Sequence, residues 1–462
     1  MNFDTYIDQR AEDIIKTTQE IIRIPSVKGP AQPGKPFGED TYRALEYMLA
    51  LGNSMGFRTK NLDGYIGYIE FGEGTEMVGI LAHLDVVPPG GNWTYPPFAA
   101  EIHDGKIYGR GAIDDKGPAV AALYAMKALK DSGVPLNKRI RLILGLDEES
   151  GWECIQRYKE TEEAPSLGFT PDADYPVIHA EKGIVHYKIF KQVEGNLPVR
   201  LIQLKGGDRP NIVPDYCEAV IEATPDIRDQ VHDYLKKATD APDLQVELCR
   251  EENTLTLKAH GKSAHGSTPE KGINAISKII SLLHSCMKNF NISHPFIDFY
   301  MDCIGTETDG KSIGCLLEDS VSGKLTLNVG IASMDTSHAE IVIDIRYPVT
   351  FKEEDIYERI YPVVQRHGAC IEKINEQSPL YVPKDHPLVQ KLMKVYEDVT
   401  GEHREPLSIG GGTYARAFDN TVAFGATFPG EPELAHQTDE YILIDSLIRN
   451  AKIFARAIHA LA

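Results

Sequence analysis

Apolar residues change texture three times along the chain. Near the start, Ile14, Ile15, Ile21 and Ile22 form one stripe of a predicted amphipathic helix, which ends before Pro25 because a proline disfavours helical geometry in the residue ahead of it. From about residue 60 to 185, short apolar runs alternate with helical patterns, the texture of a layered α/β domain. Val78-Gly79-Ile80-Leu81-Ala82 is continuous enough for a strand buried on both faces. An Ala- and Leu-rich helix follows Gly117-Pro118, runs through Leu129 and stops near Gly133. Ile140 to Leu146 reads as a second buried strand that runs directly into Asp147-Glu148-Glu149.

From residue 186 to 382 the pattern is different. Alternating strands such as Leu325-Leu327-Val329 and Ile341-Ile343-Ile345 are interleaved with helices, one carrying Ile273, Ile276, Ile280 and Leu283 at helical spacing and another spanning Glu353 to Arg366. After Pro383 the helix–strand alternation resumes, with a helix near Pro387–Val399, a loop at Gly410-Gly411-Gly412, a strand near Thr421–Phe428 and a C-terminal helix from Ser446. The expectation is one α/β domain made of residues 1–185 and 383–462, into which an α+β domain, 186–382, is inserted.

Composition narrows the functional classes. The 42% hydrophobic and 8% aromatic content is that of a folded protein. The 48 basic residues against 68 acidic ones give a formal net charge of -20, which repels phosphate backbones and anionic lipid, so neither nucleic acid nor a membrane is an expected partner. No stretch reaches the ~20 consecutive apolar residues of a membrane helix, and Met1-Asn2-Phe3-Asp4-Thr5 does not open a secretory signal, so a cytoplasmic location is expected. The 7 cysteines are scattered without a CxxC pair, so any metal must be held by His and carboxylates.

Four polar clusters sit where apolar elements end, the place where α/β sheets carry their sites. His83-Leu84-Asp85 follows the Val78–Ala82 strand. Residues i and i+2 of a strand face one side, so Asp85 is expected to accept one ring N–H of His83 and leave the other nitrogen for a metal; a surface or capping role is the alternative. In Tyr108-Gly109-Arg110-Gly111-Ala112-Ile113-Asp114-Asp115-Lys116-Gly117-Pro118, two aspartates open a helix. They serve equally as caps, yet the glycines allow close approach and one carboxylate has two oxygens, enough for two cations. Asp147-Glu148-Glu149 places three mutually repelling acids at the end of a buried strand, either to bind a cation and supply a general base or as a solvated loop. The fourth cluster is Asp172-Ala173-Asp174 after Pro171, joined by the distant His436 in Ala435-His436-Gln437-Thr438-Asp439-Glu440; each alone reads equally as structural. Together they form an N/O set without cysteine, suited to Zn²⁺, Mn²⁺ or Co²⁺ and sufficient for two ions sharing a carboxylate.

These motifs, in this order, resemble the dinuclear zinc peptidases that include aminoacylases, carnosinases and bacterial dipeptidases, and above all the PepV-type dipeptidases. Asn92-Trp93-Thr94-Tyr95-Pro96-Pro97-Phe98, Ala180-Glu181-Lys182-Gly183 and Gly410-Gly411-Gly412-Thr413-Tyr414-Ala415-Arg416 are similar to that subgroup, and the likeness spans nearly the whole chain. The resemblance implies a zinc-peptidase-like α/β catalytic domain with an inserted α+β lid. It implies that His83 and Asp172 hold one metal, Glu149 and His436 a second, and Asp114 both, with a cis Asp114–Asp115 peptide. Asp114 is taken rather than Asp115 because relatives often keep only the first acid of the pair. Asp85 would orient His83, and Glu148 would be the general base. Arg209-Pro210-Asn211-Ile212-Val213-Pro214, Gly261-Lys262-Ser263-Ala264-His265-Gly266 and Asp344-Ile345-Arg346 resemble lid motifs. They imply that Asn211, His265 and Arg346 reach the substrate, with His265 on the oxyanion and Arg346, with the backbone of Gly411 and Gly412, on a carboxylate.

The implied activity is hydrolysis of unblocked dipeptides, including β-alanyl dipeptides, by a metal-bound hydroxide, with zinc the expected metal and manganese or cobalt acceptable. An N-acyl amino acid or succinyl-diaminopimelate amidohydrolase is the enzymatic alternative, and an inactive peptide-binding relative the remote one. A large lid supplying His265 from within the chain implies a monomer.

Overall fold

The run Met77–His83 forms a strand buried along its whole length, flanked in parallel by Arg139–Gly145 and Leu167–Thr170. Leu167–Thr170 is in turn parallel to Thr421–Ala423. Continuous apolar sequence suits these central strands because both faces are covered. Towards the edges the sheet becomes antiparallel, through Ile66–Phe71 and Arg58–Leu62 on one side and Ile178–Glu181 on the other, giving nine strands in all. The structure, a computed structural model, describes residues 3–193, 197–241 and 244–462.

The described chain divides into two compact units. The first comprises Met1–Ala180, Leu380–Ser408 and Gly412–Ala462; the second comprises Glu181–Pro379 and Ile409–Gly411. The sequence pattern places the boundaries a few residues later, at 186 and 383, because strand texture continues across them: Ile178–Glu181 is followed almost at once by Gly183–Gln192. The grouping of 409–411 with the second unit has no sequence signal.

In the first unit, helix Lys116–Ser132 packs against the strands and against helix Ile444–Leu461. Its alanines allow that close approach, and Gly133, at φ 66°, ends it in the left-handed conformation glycine tolerates. The stretch expected as one strand near 421–428 is two short ones. Thr421–Ala423 stays in the main sheet, whereas Ala426–Thr427 pairs with Ala173–Asp174.

The second unit is built on an eight-stranded antiparallel sheet. Its central strands are Thr326–Asp335, His338–Tyr347 and Gly183–Gln192. Ile341, Ile343 and Ile345 enter a separate apolar core, each such side chain contributing roughly 1.5–3 kcal/mol on burial. Helix Glu353–Arg366 has the expected bounds, but the other expected helix begins at Ala275 and not at Ile273. Asn274 caps it by accepting the Ile276 and Ser277 N–H groups, which leaves Ile273 outside and exposed.

Candidate metal centre

Parallel pairing brings the expected ligands of the first unit together. His83 is the last residue of its strand and lies opposite Gly145, after which the neighbouring strand gives way to Asp147, Glu148 and Glu149. Asp172 follows the strand on the other side, and Asp114 stands just ahead of helix Lys116–Ser132. Carboxyl ends of adjacent parallel strands are where this architecture gathers functional groups. His436 arrives from a stretch of turns close to the C-terminal helix.

The distances define two half-sites around Asp114. His83 Nε2 lies 3.0 Å from Asp114 Oδ1 and 3.5 Å from Asp172 Oδ2. His436 Nε2 lies 3.2 Å from Asp114 Oδ2 and 3.0 Å from Glu149 Oε2. The two oxygens of Asp114 therefore face different imidazoles. The Asp114–Asp115 peptide is cis. Asp115 points elsewhere: it is buried and its Oδ2 accepts the His83 backbone N–H at 3.2 Å.

Asp85 accepts the His83 ring N–H as expected, but through a different atom. Its backbone carbonyl, not its carboxylate, accepts the His83 Nδ1–H at 2.9 Å, and the nearer carboxylate oxygen is 3.6 Å away. The strand ends at His83, so the rule that i and i+2 share a face no longer applies at Asp85. The carboxylate instead accepts the N–H groups of Glu148 and Glu149 at 3.2 and 3.1 Å, which orients the acidic turn. Asp147, fully buried, pairs with Lys28 at 2.6 Å and accepts the Gly151 and Glu153 N–H groups. The three consecutive acids thus divide their work, one folding the turn and two facing the site.

Electrostatics show a cluster short of positive charge. Burial pushes the Glu148 carboxyl far above its usual range, with Glu149 and Asp172 adding to the effect. Burial and Asp114 bring Glu149 up to about 7, against the opposing pull of His436. His436, hydrogen-bonded to Asp114 and Glu149, is raised to about 11. Burial lowers His83, but Asp114, Asp172 and Asp85 outweigh it and leave it raised. Asp114 is lowered: burial acts against this, and the two imidazoles prevail.

The donor set fits a divalent metal on a structural observation. His83 Nε2 is buried and makes no hydrogen bond among the described residues, although two carboxylates lie within 3.5 Å. With Nδ1–H committed to a carbonyl, Nε2 is the ring atom turned towards the acids, the one a metal would take in place of a proton. His83, Asp114 and Glu149, and also His83, Glu148 and Asp172, offer ligand atoms close enough to hold one ion.

The remaining expected residues lie elsewhere. Asn211, His265, Arg346 and Gly411 belong to the second unit, and Gly412 to the first. Asn211 and His265 are neighbours, since Gly266 N–H donates to the Asn211 carbonyl at 2.7 Å and Ile212 pairs with His265. Asn328 pins this loop by donating to the carbonyls of Pro210 and Ile212. The Ser267 backbone N–H donates to His265 Nδ1 at 3.2 Å, which puts the ring proton of the neutral imidazole on Nε2. Arg346 is buried, and its Nε and Nη2 edge is taken by Asp344 at 2.8 to 3.1 Å, while Nη1 donates to the Gly410 carbonyl at 3.1 Å. The guanidinium that the resemblance places on a ligand carboxylate is thus already held by Asp344 and the Gly410 carbonyl. Lys28, Asp344 and the Arg110–Glu440 ion pair, at 2.6 Å, are supporting groups the sequence reading assigned no role. Glu440 lies 330 residues from Arg110, so no local pattern announces the pair.

The profile of Peptidase family M20/M25/M40 matches residues 79–460. The chain belongs to this peptidase family. All seven clustered residues, His83, Asp85, Asp114, Glu148, Glu149, Asp172 and His436, fall inside the matched span. The chain is similar to the Bacillus subtilis (strain 168) protein named "Putative dipeptidase YtjP", at 43% identity over 468 residues and 100% of both chains. A Staphylococcus aureus (strain N315) protein of the same description, SA1572, is 36% identical over 462 residues and 98% of both. Among solved structures, human carnosine dipeptidase 1 has the M20-type fold of this chain, with TM-score 0.57 at 15% identity, covering 99% of this chain and 98% of its own.

Proposed function

We propose that this M20 peptidase is a metal-dependent dipeptidase that hydrolyses unblocked dipeptides, β-alanyl dipeptides included. The observation that carries the reading is Asp114, held between two imidazoles at 3.0 and 3.2 Å with the half-buried acid Glu148 in the same cluster. The dipeptidase names of relatives sharing most of the chain's length support it, and the carnosine dipeptidase of like fold is consistent with the β-alanyl extension.

His83 and Asp172 would hold one ion, Glu149 and His436 another, and Asp114 both, with zinc the metal best matched to the set and manganese or cobalt alternatives. When bound, such ions polarise a peptide carbonyl and bring the pKa of a water towards neutrality. Glu148, whose carboxyl burial makes unusually basic, takes the proton of the attacking water and returns it to the departing amine. Asp85 keeps Glu148 in place through its backbone N–H. His265, with its proton on Nε2, donates to the oxyanion, a contribution of about 3–4 kcal/mol in other hydrolases. Asn211, Arg346, Gly411 and Gly412 bind the substrate, Arg346 through N–H groups beyond those held by Asp344, and the second unit acts as the lid. The protein works as a cytoplasmic monomer.

The test is a paired assay of free and N-acetylated dipeptides, before and after chelation. Cleavage of the free dipeptide, lost on stripping and regained with zinc or manganese, is expected; cleavage of the blocked compound alone would replace this reading with an amidohydrolase.

A further inference from the structure

Four of the five proposed ligands leave regular elements: His83 ends a strand, Glu149 and Asp172 follow strands, and Asp114 precedes a helix. His436 does not. It sits among turns at φ 64°, and its side chain is 53% exposed. A ligand on such a segment needs support from other groups to keep its geometry.

That support is one buried ion pair gripping two loops. Arg110 Nη1 donates to Glu440 Oε2 at 2.6 Å and to the Gln437 carbonyl at 3.1 Å, and Nη2 donates to the carbonyls of His436 and Pro89, each at 3.3 Å. Glu440 Oε1 accepts the N–H groups of Ile113 and Asp114 at 3.0 and 3.3 Å. The Glu440 carbonyl accepts Gly109 N–H at 2.9 Å, and beyond it Tyr441 pairs with Tyr108. At the rim, Thr94 donates to Asp439 through N–H and hydroxyl at 2.7 and 2.8 Å. The pair therefore holds the main chain of both Asp114 and His436. Buried ion pairs add little net stability, but their directional bonds fix geometry.

We propose that Arg110 and Glu440 are positioning residues that set the spacing of Asp114 and His436, so that the ion shared by Asp114, Glu149 and His436, two of whose ligands they hold, depends on them more than the ion on His83, Asp172 and Asp114, one of whose ligands they hold. The proposal rests on the two-ion reading above. It is tested by Zn²⁺ titration of the full-length metal-free protein against a chromophoric chelator, with thermal melting of each metal-free sample read separately. Glu440→Gln, which keeps an acceptor for Ile113 and Asp114 but loses the charge, is expected to weaken one Zn²⁺ affinity roughly ten- to a hundredfold and the other by clearly less. Its profile should approach that of His436→Ala and not that of Asp172→Ala. Asp439→Asn, at the less buried end of the same support, should move the same affinity by less, and it carries the test should Glu440→Gln not fold. Equal loss of both affinities, or no loss in either variant, overturns the proposal. A wild-type protein that binds a single Zn²⁺ overturns the two-ion reading itself, and the proposal with it.

Discussion

In the proposed mechanism Glu148 is the residue on which the chemistry turns. Its carboxyl, half-buried among other acids, is held well above the usual carboxylate range and so is more basic than an exposed glutamate. Replacing it with Gln should lower kcat by roughly 10²- to 10⁴-fold while zinc content by elemental analysis stays at the wild-type level; full turnover in that variant would remove it from the mechanism. The acids stand out in the sequence because they stand directly after a buried strand, and it is the resemblance that singles out Glu148 among them. The expected atom of Asp85 differs, since where a strand stops is set by neighbours and not by the local pattern: His83 closes the strand, the Asp85 carbonyl takes its ring N–H, and the carboxylate turns to the Glu148 and Glu149 N–H groups. Arg346 was legible as a cation but not as one already gripped by Asp344, two residues away on the same strand.

Among elements, the centre depends on how closely the strands and the loop after Gly412 pack. A Cβ on Gly145, the register partner of His83, would lie 2.0 Å from the Tyr414 hydroxyl. That ring is fully buried and packs edge-on against His83 and Trp152. Gly145→Ala should therefore cost about 1–3 kcal/mol of stability and weaken metal retention, measured as a lower Tm with and without zinc; an unchanged melt would show that Tyr414 moves freely. In the second sheet, burial raises the Asp344 carboxyl, but Arg346 and His186 outweigh it and leave it below the usual carboxylate value. A depressed folded pKa contributes stability above the unfolded value, about 3.9, and loses it as pH falls through the folded one. The Tm deficit of Asp344→Asn should accordingly be largest near pH 7 and shrink as the pH falls below about 4. A deficit constant with pH would contradict that role. Apolar periodicity foretold the buried strands well, because their burial on both faces is written in contiguous residues; it overextended the helix at Ile273, where one capping Asn decides the start.

For the whole molecule, the change of texture near residue 186 and its reversal near 383 made a two-part organisation legible, whereas the attachment of 409–411 to the second unit depends on contacts far apart in sequence, such as Lys182 N–H to the Ile409 carbonyl at 3.0 Å. The formal charge of -20 leads to the expectation that the protein passes through a heparin column at low salt, and size-exclusion chromatography with light scattering should return the mass of one chain, 51.3 kDa. Above these stands the convergence of distant acids and imidazoles on Asp114. The measurement that tests it most directly is anomalous diffraction from crystals of active, unchelated protein, with elemental analysis of the same sample. Two divalent ions per chain, one on each side of the Asp114 carboxylate, are the predicted result; active protein with no ion at Asp114 would contradict the account.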